Sequence, residues 1–140
     1  MSMKATLIDR SNYFRGMLVL IGRDKIIHPS EHDLVLQFGK ALDFDTRFCE
    51  GAIANLLDNE HITEDPILFD AREMAECFLR DGLKLSLVDR EIHSEELTWL
   101  KITAQANKIP DDWFENEYRK LKDIRLEELP FESFDIHRFL

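Results

Sequence analysis

Two stretches of this chain place acidic residues and a histidine at matching spacings. Asp24-Lys-Ile-Ile-His-Pro-Ser-Glu31 lies over Asp89-Arg-Glu-Ile-His-Ser-Glu-Glu96 when the sequence is moved 65 positions along itself without a gap. Asp24 then pairs with Asp89, Ile27 with Ile92, His28 with His93 and Glu31 with Glu96. Four carboxylates drawn together repel one another unless a cation neutralises them or some take up protons. An all-oxygen set suits a hard cation such as calcium, magnesium or manganese, and adding His28 or His93 shifts the preference toward zinc, manganese or iron. The candidate metal ligands are therefore Asp24, Glu31, Asp89 and Glu96, with His28 and His93 as additional donors.

The same residues have a capping reading. If Pro29 is the first helical residue, His28 is the cap and Glu31 the third helical residue, and Glu96 holds the same place in the second copy. A glutamate there satisfies a free backbone N–H and suits the positive helix end. Asp24 and Asp89 then serve as turn residues, and Ile27 and Ile92 as plugs that pin each turn to the core.

Other motifs carry less. His28-Pro-Ser-Glu-His32 matches a zinc-peptidase string, but Pro29 puts His28 at a helix boundary and no distant third ligand is evident. The segment from Asp89 starts like a calcium-binding EF-hand loop, but Ser94 stands at the glycine position and Leu100 at the closing glutamate. Asp111 and Asp112 follow Pro110 and suit a helix start. No nucleophile with an adjacent base and no glycine-rich phosphate loop occurs, so the expectation is a non-enzymatic protein. Trp99 and Trp113 read as core anchors, and His61 and His137 as solvated.

The elements that must position the turns read as helices throughout. Residues 11–21 place Phe14, Met17, Leu18 and Ile21 on one face. Pro29 opens a second helix, with Leu34, Val35, Phe38, Ala41 and Leu42 inward. Asp45 caps a third, whose stripe is Phe48, Cys49, Ala52, Ile53, Leu56 and Leu57. Residues 58–69 form an acidic loop, and Asp70-Ala-Arg-Glu73 reads as a capping box. The helix that follows is apolar over a wide arc (Met74, Phe78, Leu79, Leu83, Leu85, Leu87), which suits the centre of a bundle. A helix over 94–107 packs Leu97, Leu100 and Ala104. Pro110 opens the last strong one, with Phe114, Tyr118 and Leu121 in line. The tail, 123–140, predicts a short helix near Leu126 and then an extended segment whose phenylalanines, Phe131, Phe134 and Phe139, fold back onto the domain. The expected architecture is all-α: one compact bundle of six to seven helices built from two pseudo-repeats, about 11–57 and 71–121.

These residues resemble the TerB-like family, named for a bacterial tellurite-resistance protein. The resemblance rests on a long apolar helix followed by Asp-x-x-Ile-x-x-x-Glu and another helix, here Leu83 through Leu100. The match is better over about 70–121 than over 11–57, and Lys25 and Arg90 stand where the family often has glycine. It implies an all-helical domain whose two acidic turns come together, acting as a metal-binding or stress-associated module rather than an enzyme. It carries Asp24, Glu31, Asp89 and Glu96 as the site.

Composition narrows the partners. The chain has 140 residues, with 28 acidic against 18 basic residues and a net charge of −10. That balance argues against nucleic acid, because phosphate binding needs a basic face. The excess is local: −5 in residues 58–70 and −3 in 123–140, which suits a protein partner with a basic face. No apolar run approaches the roughly 20 residues that span a bilayer, and the first nine residues do not read as a signal peptide. Cys49 and Cys77 form no CxxC and sit in apolar helical patterns, so they read as buried thiols of a reduced, cytoplasmic protein. Either a monomer or a homodimer fits.

Overall fold

The computed structural model describes residues 5–22, 29–58, 65–87, 94–122 and 131–140, leaving aside the side chains of 30, 31, 56–58, 87 and 94. Among the described residues six α-helices follow one another: α1 (Leu7–Gly22), α2 (Pro29–Ala41), α3 (Thr46–Asp58), α4 (Arg72–Leu87), α5 (Ser94–Ala106) and α6 (Asp111–Lys122). Two short 3-10 helices, Phe131–Ser133 and Asp135–Phe139, end the described chain. No strand occurs among the described residues, so the fold is all-α.

The 65-residue offset reappears in the helix boundaries. Moved by 65, α1 covers 72–87 and α2 covers 94–106, the bounds of α4 and α5; α3 starts at 46 and α6 at 111. The helices of each set pack on one another, and the sets meet through α1 and α4. The corner after α2 and the corner after α5 are built alike. Phe44 N–H bonds the Gly39 carbonyl (2.8 Å) and Asp43 N–H that of Lys40 (3.0 Å). Ile109 N–H bonds Ala104 (2.9 Å) and Lys108 N–H bonds Gln105 (3.0 Å). Both are Schellman endings, which need a left-handed residue just past the helix. Here Asp43 (φ 70°) and Lys108 (φ 61°) take that conformation, again 65 apart.

From Tyr13 to Gly22 every residue of α1 except Arg15 is buried. Gly16 permits the crossing with α4, because a Cβ there would run into the Phe78 ring. Tyr13, Phe38, Phe78, Phe114 and Phe134 are the largest fully buried side chains, and Tyr13 meets Phe38 and Phe78 edge-on at 5.7 and 5.9 Å. Burying each such ring contributes on the order of 2–3 kcal/mol. Both cysteines are buried and unpaired.

Three local expectations are corrected. The helix after the acidic loop starts at Arg72, with the Ala71 carbonyl accepting from Met74 and Ala75 N–H (3.1 and 3.2 Å). The carboxylate at that end is not Asp70 but the fully buried Asp9 of α1. It accepts the N–H groups of Asp70 (2.7 Å) and Ala71 (3.0 Å). Phe48 is 58% exposed and leans on Phe44 instead of entering the core. The end of the tail is not extended but coiled into 3-10 turns, with Phe134 and Ile136 buried against the bundle.

The left-handed corners give a measurable test. Lys108→Gly relieves a conformation that costs an L-residue roughly 1–2 kcal/mol, and should raise unfolding free energy by about 1 kcal/mol in urea titration. Asp43→Gly should gain less, since Asp tolerates that region better. Destabilisation by both substitutions contradicts the described corners.

Candidate functional site

The repeated turns are framed by described helices. Contacts along the pair show that α1 and α4 run in the same direction. Asp9 near the start of α1 bonds the backbone entering α4, and Tyr13 meets Phe78. Farther along, Leu20 Cδ1 lies 3.1 Å from where a Cβ on Gly82 would sit. Gly22 and Leu87, which lead into the turns, therefore sit at the same end of the pair. Glu31 and Glu96 are the third residues of α2 and α5. Each is in the first turn of its helix, where a negative charge is favoured by the helix dipole. Glu96 is half-buried. Asp24, His28, Asp89 and His93 lie outside the described residues, as does the Glu31 side chain. Among the described residues no three His, Cys, Asp or Glu side chains form a metal-holding group.

The other histidines have defined places, except His61, which lies outside the described residues. His32 Nε2 is 3.1 Å from Glu50 on α3. That hydrogen bond raises its pKa above the usual histidine value. His137, expected to be solvated, is instead half-buried: its Nε2 lies 3.0 Å from the Phe131 carbonyl and its ring 4.5 Å from the Phe131 ring. Trp99 is buried beside Phe78 (6.0 Å). Trp113 is half-buried, with the Arg80 guanidinium 5.1 Å from its ring centre.

The most concentrated polar centre among the described residues is one the helical pattern hides. Asp81, in the middle of α4, is fully buried. Its Oδ2 accepts the Tyr13 hydroxyl (2.6 Å) and the Ile136 N–H (3.0 Å), and its Oδ1 accepts the Asp135 N–H (2.6 Å). Lys84 Nζ is 3.8 Å from Oδ1, and the Cys77 thiol is 3.7 Å from Oδ2. The signal in the sequence was a charged residue set between Cys77, Phe78 and Leu85 on an otherwise apolar arc. Buried carboxylates need such partners, since an unpaired one costs several kcal/mol.

Burial pushes the Asp81 carboxyl up to about 6, against the pull of the Tyr13 hydroxyl, the Asp135 N–H and Lys84, and with repulsion from Asp135. Burial and the Asp81 charge raise both the Cys77 thiol and the Tyr13 phenol, so each keeps its proton at neutral pH. Cys77 is thus no ready nucleophile.

No family model, curated protein or solved structure matches the chain.

The direction of the Asp81 shift fixes a pH dependence. A carboxyl raised from 3.8 to about 6 holds its proton more tightly in the folded chain. Its contribution to stability is complete below about pH 4 and is lost as the pH rises through about 6. The stability of the native protein minus that of Asp81→Asn should therefore fall between pH 4 and 6.5 and then level off. Urea titrations across that range read this difference; a difference that rises instead contradicts the buried carboxyl.

Proposed function

We propose that this chain is a non-enzymatic accessory module, a divergent relative of the TerB-like family, whose two acidic turns together bind one divalent cation. Asp24, Glu31, Asp89 and Glu96 are the ligands, with His28 and His93 as additional donors. The observation that carries this reading is the 65-residue register of the helix boundaries combined with the shared direction of α1 and α4. Gly22 and Leu87 end the central pair on the same side, and the acidic sequence that follows each leads to a glutamate in the first turn of the next helix. The oxygen-rich set favours calcium, magnesium or manganese, and participation of the histidines favours zinc. A setting in bacterial stress follows from the family resemblance. Two buried unpaired thiols fit a reducing compartment such as the cytoplasm. No helix among the described residues is long and apolar enough to cross a membrane.

A second reading, a protein-interaction module in which the turns only cap helices, has its own support. Leu7, Ile8 and Leu68 are each 60% exposed. Ile8 and Leu68 flank Asn12, whose side chain bonds the Leu68 carbonyl at 2.9 Å. The acidic stretches 58–70 and 123–140 complement a basic partner.

Calorimetric titration with calcium, magnesium, manganese and zinc separates the two. The cation reading predicts binding heat with at least one ion. At 100 times the dissociation constant it also predicts stabilisation of about 2.7 kcal/mol, with both effects lost in Asp24→Asn/Asp89→Asn. Neither heat nor a melting shift with any of the four ions overturns it.

A further inference from the structure

Residues 131–140 lie across the bundle as a strap. Phe134 is buried with its ring 5.0 Å from Phe38, and Phe131 meets the same ring at 5.2 Å. The Ser133 carbonyl accepts Lys84 Nζ at 2.9 Å, and the Asp135 carboxylate pairs with Arg80 at 3.3 Å. At the centre, the backbone N–H groups of Asp135 and Ile136 point at the buried Asp81 carboxylate. The seat therefore reads a short segment by three means: two adjacent N–H groups that start a 3-10 turn, an aromatic anchor against Phe38, and an acidic residue opposite Arg80.

This seat differs from ordinary core in one respect. Its anchoring charge is buried, but two of its partners belong to the bundle itself. The Tyr13 hydroxyl (2.6 Å) and Lys84 (3.8 Å) face Asp81 from α1 and α4. They compensate the carboxylate when the strap is away, so the charge does not tie departure of the strap to unfolding. We propose that this seat is a peptide-docking site with residues 131–140 as its resident ligand, and that the strap leaves with the six helices intact so that the same segment of a second copy takes its place. The second copy is the fitting occupant because the seat matches this segment at each contact. Arg80 and Lys84 supply positive charge to a strap bearing Glu132 and Asp135, and Phe38 takes both Phe131 and Phe134.

The two thiols report on this separately. Cys77 shares Asp81 Oδ2 with the Ile136 N–H, whereas Cys49 packs against Gly39 between α2 and α3. The experiment uses the full chain under native conditions, with a small aromatic disulfide reagent and mass spectrometry to follow each cysteine. Phe131→Ala should speed Cys77 labelling roughly threefold or more over the native rate through loss of its packing on Phe38. Phe134→Ala should speed it at least about tenfold through loss of the buried ring. Cys49 and the helical circular-dichroism signal should stay unchanged in both. A synthetic peptide of residues 131–140 should then slow Cys77 labelling in the Phe134→Ala protein, and the same peptide carrying Phe134→Ala should not. A Cys77 rate that neither variant raises relative to Cys49, or no protection by the peptide, overturns the proposal. The outcome is independent of whether the turns bind a cation.

Discussion

The crossing of α1 and α4 is the contact on which the rest depends. Gly16 lets the Phe78 ring approach the α1 backbone, and Tyr13 reaches across to hydrogen-bond Asp81. These two helices begin the two repeated units, so their shared direction decides where everything after them goes. It puts Gly22 and Leu87, the last residues of the two helices, at one end. At the other end it leaves Asp9 of α1 to hold the backbone that enters α4. A reversed crossing would separate the turns by the length of a helix, about 24 Å for sixteen residues.

Buried carboxylates organise the chain connections in this fold. Asp9 takes two backbone N–H groups from the segment before α4, and Asp81 takes two from the strap. Asn107, at the end of α5, adds bonds to Phe69 N–H (2.9 Å) and the Ile67 carbonyl (2.7 Å). Each converts an irregular stretch into one with satisfied backbone groups, which a segment laid on a core requires. The desolvation of Asp81 is offset by three short hydrogen bonds and a nearby ammonium, which is the condition under which a buried charge is tolerated.

Much of this was legible in the residues. Apolar spacing and cap residues located all six helices, and the ungapped offset anticipated that α4 and α5 begin 65 residues after α1 and α2. The left-handed corners escaped because neither Asp43 nor Lys108 is glycine, the residue that usually marks such an ending. Asp81 escaped because a helical stripe is read from its apolar members, and a lone charge among them is passed over. Phe48 was assigned to the core by its place in the α3 stripe, yet Cys49 and Ile53 fill the inward arc. His137 looked solvated because its partner, Phe131, stands six positions earlier and meets it only once the tail coils into 3-10 turns. Of the six proposed ligands, the sequence offers the pairing, and the described helices place only Glu96 and the backbone of Glu31, each in the first turn of its helix.

The most direct test of that frame is a distance between the turns. Spin labels on Lys25→Cys and Arg90→Cys, in a chain that also carries Cys49→Ala and Cys77→Ala, are read by pulsed electron resonance in solution. Co-directional α1 and α4 predict a separation of about one helix spacing, 8–10 Å between axes, plus the label arms. A separation longer by roughly a helix length, about 24 Å, would contradict the account and remove the basis for a shared site.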